Sequence, residues 1–220
     1  MKRTVIPELL DSDAGSPAEI SASLADLRMF NRWFGGVGTT CELLRAVVRR
    51  TGQRDLALLD VGGGAGYVPA RAASALGREG VRLDFAVLDR SPAHLNGTGR
   101  SVAGDALALP FADGSFDLVS SSLFVHHLEP GEIVRFVNES LRVARMAVLV
   151  NDLRRSLAHL ALSYAGFPLY RSRFTRNDAP ASVRRAYTTD EMRDLLQASR
   201  CAAVEIRHHY LYRMGAIVWR

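Results

Sequence analysis

From residue 56 onward, short apolar runs alternate with amphipathic stretches. Leu56-Ala57-Leu58-Leu59-Asp60-Val61, closed by Gly62, has no polar face over its first four residues, as expected of a strand buried on both sides. Residues 67–78 follow helical spacing, and Leu83–Leu88 reads as a second strand ending at Asp89. Further strands are predicted at Val102-Ala103-Gly104, Phe116–Ser121 and Met146–Val150, with a helix over Glu132–Arg142. A helix over Thr189–Ser199, N-capped by Thr189, precedes two closing strands, Val204–His209 and Ala216–Trp219. A short turn joins that last pair, so it must be antiparallel. Upstream, residues 1–17 form a polar lead-in. Ser16, Pro17 and Glu19 spell a capping box with proline at the first helical position. The helix they open runs through Leu24, Leu27 and Phe30 to Gly35-Gly36, and a second covers about Thr39–Arg50. Strands alternating with helices predict a doubly wound, mostly parallel α/β domain.

At 220 residues, 48% hydrophobic and 23% charged, the chain has the size and composition of one globular domain. Its longest apolar runs fall well short of the roughly 18–20 residues needed to cross a bilayer. Met1–Ile6 carries two basic residues with no apolar stretch behind them, so no leader is expected. Cys41 and Cys201 stand far apart and outside any CxxC, which argues against a disulfide framework or a zinc knuckle. These features together predict a cytoplasmic protein. The net charge is +5, and 12 of the 28 basic residues but only 6 of the 23 acidic ones lie in 151–220. Such a basic last third suits an anionic substrate or a solvated surface. With neither a dense basic run nor an aromatic stripe, nucleic acid is not the expected partner.

The chemistry-bearing feature is Asp60-Val61-Gly62-Gly63-Gly64-Ala65-Gly66, between a buried strand and a helix. Glycines there permit a tight turn and close approach of a ligand to the backbone, and the following helix offers its N–H groups to an anion. The dinucleotide pattern GxGxxG/A fails in every register, and no Lys-Ser/Thr completes a P-loop. What remains is an acid at a strand end followed by alternating glycines, with Asp89 and then Arg90 at the end of the next strand. A carboxylate at Asp89 is placed to accept both hydroxyls of a ribose.

With these residues the chain resembles the class I S-adenosylmethionine-dependent methyltransferases, best over residues 56–150. The likeness continues through Gly104-Asp105-Ala106-Leu107, then Leu109–Val119, then Leu123-Phe124-Val125-His126-His127-Leu128. The resemblance implies a Rossmann-like, doubly wound, mostly parallel seven-stranded sheet with an antiparallel last strand. It also implies a helical cap over 1–50, a methyltransferase domain over 51–220 and a helical insertion at about 151–187, although locally that stretch reads as irregular and arginine-rich. S-adenosylmethionine is the implied cofactor. Gly62, Gly64 and Gly66 would hold its methionine moiety, Asp89 with Arg90 the ribose, and Asp105, Ala106 and Leu107 the adenine, with Ser121 at the end of the fourth strand. Asp60 would orient the loop or accept from the methionine ammonium through water, and Arg32 would pair with its carboxylate.

His126 and His127 follow the fourth strand and Asp152 the fifth, where ligands of open α/β sheets bind, so these three are the candidate catalytic residues. Some metal-assisted relatives carry Glu-x-x-Glu-His here. Leu123 and His126 occupy the glutamate positions and only His127 is retained, so no metal is expected. Asn31–Gly36, Asn151–Ser156 and Phe174–Tyr187 are similar to a bacterial subgroup of small-molecule, type 11-like methyltransferases associated with type III polyketide pathways, although Ala179 replaces an expected glycine. The implied acceptor is a small phenolic or polyketide-like aromatic, methylated on oxygen, by a monomer or homodimer with no membrane partner. Tyr164, Phe167, Tyr170 and Phe174 of the insertion, with Phe30, Trp33 and Phe34, are candidates for its pocket. Other readings are C-methylation of a quinone or polyketide, RNA methylation, and a non-catalytic cofactor-binding protein. RNA methylation is disfavoured because Ser120-Ser121-Ser122-Leu123 replaces an Asn-Pro-Pro-Tyr-type segment.

Overall fold

The computed structural model describes residues 1–12, 15–95 and 100–220, so residues 13–14 of the expected lead-in lie outside the described part. Seven strands form one sheet: β1 (Asp55–Val61), β2 (Arg82–Asp89), β3 (Arg100–Ala103), β4 (Phe116–Ser122), β5 (Ala144–Leu153), β6 (Ala203–His209) and β7 (Arg213–Trp219). Their order is β3-β2-β1-β4-β5-β7-β6, and only the β7 pairings are antiparallel. This is the α/β Rossmann-like arrangement expected from the alternating pattern. β1 reverses the direction of strand addition, and ligands of open sheets bind at such a switch point, beyond the strands' carboxyl ends.

Strands buried on both faces demand two apolar layers, and the sequence supplies them residue by residue. Leu58 joins the core beneath α2 (Gly36–Thr51) and α3 (Tyr67–Gly77), whereas its neighbour Leu59 joins the opposite core beneath α4 (Pro130–Val143) and α7 (Thr189–Gln197). The expected capping box at Ser16 and Glu19 opens α1 (Pro17–Trp33). The last helix is capped one residue earlier than expected. Thr188, not Thr189, accepts from the Glu191 amide while Glu191 returns the bond, because only Thr188 has extended backbone there.

The arginine-rich stretch is mostly regular. Residues 151–153 complete β5, and α5 (Leu157–Ala165) and α6 (Arg173–Arg185) follow. Together with α1 they form a layer across the carboxyl ends of the strands. Two buried polar residues tie α2 and the end of α1 to the sheet. Asn151 donates from Nδ2 to the Gly36 carbonyl (2.7 Å) and to Thr40 Oγ1 (2.9 Å). Arg213 donates to Asn151 Oδ1, the Phe34 carbonyl and Asn31 Oδ1, and burial lowers its pKa to about 10.

Removing Asn151 leaves a buried Arg213 N–H without its acceptor and takes from the Gly36 carbonyl the bond it makes beyond the helix. Asn151→Ala should lower unfolding free energy by roughly 1–3 kcal/mol for that orphaned group in urea titrations, with an unchanged m-value.

Candidate active site

A cavity of about 840 Å³ lies at the carboxyl ends of β1, β2, β4 and β5, beneath α1, α5 and α6. That is near the top of the range for ligand pockets, enough for two molecules side by side. One end is made by the glycine loop and the β2 and β3 edges, the other by the N-terminal segment, the turn after β4, and the α5–α6 layer.

At the first end the backbone is bent as the glycines allow. Gly62, Gly64 and Gly66 all have positive φ (69°, 51° and 70°). A Cβ on Gly62 would meet the Phe124 ring at 2.7 Å, whereas one on Gly64 would meet nothing within 4 Å. Phe124 thus fixes the loop from beneath, and the Gly64 Cα faces open space. Asp89 closes the loop across the strands: its Oδ2 accepts the Gly64 N–H (3.0 Å) and its Oδ1 the Ser91 N–H (3.1 Å). Asp105 accepts the Leu107 N–H (2.8 Å), presenting Ala106 and Leu107 to the cavity. Arg90 also reaches the wall. Asp60 is 2% exposed and accepts from Ser120 Oγ at 2.5 Å. Burial, reinforced by the Asp89 charge, pushes its carboxyl up to about 7.

The donor set fits S-adenosylmethionine. Gly66 leaves the α3 N-terminus without a side-chain cap, Gly64 leaves room beside the backbone, and Asp60 is a buried acid with no cationic partner among the described residues. Three expected cofactor contacts are not brought to the wall, one of them Gly66, which is buried at the start of α3. Arg32 lies on the exposed face of α1, with its guanidinium 4.9 Å from the centre of the Trp33 ring, itself 63% exposed. Helical phase turns both outward, and Arg28 and Asn31 line the cavity instead. Ser121 is buried away from the cavity, where Ser122, one residue on, takes its place.

The other end is built around His126. Leu123, a non-glycine residue at φ 55°, ends β4 with a left-handed kink of the kind that costs of order 1–3 kcal/mol and gathers at functional sites. The kink leads into a 3₁₀ turn at Val125–His127. There Asp152 Oδ2 accepts the His126 amide (3.1 Å), and Oδ1 accepts the ring Nδ1–H (2.7 Å). On the opposite side of the ring, Glu8 Oε1 lies 3.6 Å from Nε2. Burial opposes charging the ring, but two flanking carboxylates outweigh it and raise its pKa to about 10. Burial also opposes charge on Glu8 and Asp152, and the His126 cation outweighs it, holding both below the usual carboxylate range. His126 is therefore an imidazolium at neutral pH, unsuited to taking a proton, and Asp152 stands behind it rather than on the wall.

His127 is partly exposed and lies on the wall, with Nδ1 3.1 Å from Asp11 Oδ2 and Nε2 3.9 Å from Glu8 Oε2. His159, from α5, is a wall residue that the sequence reading passed over. It donates to the Arg154 carbonyl (3.0 Å), stacks on Tyr212, and has its pKa lowered chiefly by burial. Of the expected aromatics, Phe30, Phe34 and Tyr170 line the cavity, with Phe30 edge-on to both others. Phe174 is buried in packing, Tyr164 receives a hydrogen bond from Arg184 outside the wall, and Phe167 packs between Tyr164 and Tyr170. The His208–His209 pair is structural: His208 contacts Arg154 and Thr189, and His209 contacts Glu42.

Glu8, Asp11 and Asp178 went unrecognised in the sequence because they sit in or bind the polar lead-in. Asp178 accepts the Leu9 and Leu10 amides (2.8 and 3.1 Å), Thr4 donates to the Arg184 carbonyl, and Arg3 pairs with Glu129. Leu9-Leu10 after Pro7 was the available signal, a second apolar pair, after Val5-Ile6, in a segment read as a polar lead-in.

A family model described as "Methyltransferase domain" matches residues 59–148. A protein of Mycolicibacterium gilvum, an uncharacterized methyltransferase, is 30% identical over 181 residues, covering 75% of this chain and 70% of that protein. One of Mycobacterium marinum, described in the same words, is 43% identical over 91 residues, 40% of this chain but only 34% of its own length. Thus the matched stretch spans about a third of that relative. Among solved structures, the plantazolicin methyltransferase BpumL in complex with SAH superposes with a TM-score of 0.72 at 14% identity, covering 97% and 94% of the two chains. A SAM-dependent methyltransferase from Aquifex aeolicus gives 0.57 at 18%, covering 80% and 88%. Among the described residues no helix is long and apolar enough to cross a membrane.

A raised histidine pKa contributes stability that is complete below the ring's ordinary value and is lost as pH rises through the folded one. Thermal melts with a chelator present should therefore show stability from His126 declining across about pH 6.5 to 10, a decline absent from His126→Gln.

Proposed function

Since the chain belongs to the class I S-adenosylmethionine-dependent methyltransferases, we propose that it transfers the cofactor's methyl group to the hydroxyl of a small aromatic, phenolic or polyketide-like acceptor. The observation that carries this reading is one cavity with two unlike ends, glycine-and-carboxylate at one and aromatic-and-imidazole at the other.

The bound cofactor supplies an electrophilic methyl whose departure neutralises a sulfonium. The chain's own work is then to align, to exclude water and to receive one proton. Gly62, Gly64 and Gly66 keep the loop open for the methionine end, with Asp60 as the anionic partner of its ammonium. Asp89, with Arg90 beside it, takes the ribose, and Asp105, Ala106 and Leu107 cradle the adenine edge. Phe30, Phe34 and Tyr170 supply flat apolar walls for an aromatic ring. With His126 committed to two carboxylates and Asp152 positioning it, His127 and His159 remain on the wall to receive the hydroxyl proton. O-methylation accords with these imidazoles. C-methylation would leave the proton to be taken from carbon, a harder task for either ring.

Calorimetry with S-adenosylhomocysteine should detect binding that Asp89→Ala weakens by about 10-fold or more, one charged hydrogen bond's worth. Affinity for S-adenosylmethionine should rise as pH passes through about 7, where Asp60 ionises, and Asp60→Asn should flatten that step. With labelled cofactor and a panel of phenols, methyl incorporation into an acceptor is expected. Replacing whichever of His127 and His159 takes the proton by Ala should lower kcat by about 10²–10⁴, more than it changes KM. No uptake of either cofactor form would overturn the reading.

A further inference from the structure

The two adjacent imidazoles share an arrangement that proton transfer alone does not require. Each has a carboxylate on Nδ1: Asp152 on His126 at 2.7 Å, and Asp11 on His127 at 3.1 Å. Each Nε2 therefore points away from that partner, and both converge on the carboxylate of Glu8, at 3.6 Å from Oε1 and 3.9 Å from Oε2. His126 Nε2 and Glu8 Oε1 are buried and make no hydrogen bond. Ligand atoms of all three residues lie within 4.8 Å of one another.

We propose that Glu8, His126 and His127 form a binding site for one first-row divalent cation of the Zn²⁺, Co²⁺ or Fe²⁺ type, opening into the cavity. Bonds of about 2.0–2.2 Å place two ligands of one ion roughly 3.0–3.6 Å apart, so the donors need to close by less than about an ångström each. Two imidazoles with one carboxylate select borderline ions over Mg²⁺ or Ca²⁺, which prefer oxygen alone. The carboxylates on Nδ1 are the outer partners that metal-binding histidines commonly have, and they fix the tautomer that leaves Nε2 free. The ion would take the place of the proton on His126 Nε2, which leaves to solvent, so the cluster keeps a cation between Glu8 and Asp152 either way. Arg185 pairs with Asp11 at 3.5 Å and keeps the outer carboxylate from adding uncompensated charge.

Three protein ligands leave coordination positions open, and all three residues line the cavity. An acceptor oxygen bound there would have its hydroxyl acidified by the ion, and His159 would remain as the wall imidazole outside the ligand set. That last role rests on the reading above; the cation site itself does not.

The test is a Co²⁺ titration of the full chain after dialysis against a chelator, followed by visible d–d absorption. Saturation at one equivalent with a spectrum unlike that of the aqueous ion is expected, with Zn²⁺ displacing the cobalt. Asp11→Asn, at a half-exposed outer position, should weaken binding by about 10–100-fold. Glu8→Gln and His127→Ala should weaken it further, while circular dichroism stays native. An aqueous-type spectrum, or Asp11→Asn, Glu8→Gln and His127→Ala all binding like the parent, would overturn the proposal and leave the cluster a proton-held ion pair. Cofactor uptake and methyl transfer are measured separately, so a failed methyltransferase reading leaves this titration unaffected.

Discussion

A buried imidazole flanked by two carboxylates organises the functional half of this molecule. Asp152 belongs to β5, His126 to the turn after β4, and Glu8 to a segment well over a hundred residues earlier. Taking three charges out of water costs several kcal/mol per ion, which is recovered only when each partner is present. Losing the imidazolium would leave buried carboxylate charge uncompensated at about 3–5 kcal/mol, and the pairing of Glu8 with that ring ties the N-terminal segment to the turn. The cluster therefore acts as a clasp. It fixes the 3₁₀ turn, holds His127 at the wall, and makes the N-terminal segment part of the cavity rather than a tail.

The opposite end follows from topology. Because the direction of strand addition reverses between β1 and β4, their carboxyl ends leave a crevice beside the glycine loop. Asp89 reaches back to the loop amide at Gly64, so the acid expected to meet a ribose also sets the loop's shape. Asp60 stands behind the loop, buried, and among the described residues has a serine hydroxyl but no cation facing it, which raises its pKa to about 7. Between the two ends, α1, α5 and α6 supply a lid, and the end of α1 is anchored to the sheet by the buried Arg213 through the Phe34 carbonyl and Asn31 Oδ1.

Much of this was legible in the chain. The apolar runs matched the strands within a residue or two, except β5, which runs from Ala144 to Leu153 rather than stopping at Val150, and β7, which opens at Arg213 rather than Ala216. Among its last three residues Asn151 and Asp152 are polar, yet all three pair with β7, a tertiary effect that local pattern does not carry. Glycine spacing and strand-end acids marked the glycine-and-carboxylate end of the cavity because those features depend on neighbours in sequence. The imidazole end depends on distant residues. Glu8 and Asp11 looked like solvated charges, and His159 like one histidine in an irregular stretch. Arg32 read as an anion partner, but one helical step separates it from the wall that Arg28 and Asn31 reach. The expectation of no metal came from comparing residues near His127 alone, a comparison blind to a carboxylate supplied by the N-terminal segment.

The central claim is that the two ends belong to one reaction chamber, with the methyl donor's sulfur directed at the imidazole cluster. A crystal structure with S-adenosylhomocysteine bound tests this directly. The account predicts adenine against Ala106 and Leu107, ribose at Asp89, and the sulfur facing the space bounded by Glu8, His127 and Tyr170. A sulfur turned toward bulk solvent, with that space walled off from it, would contradict the account.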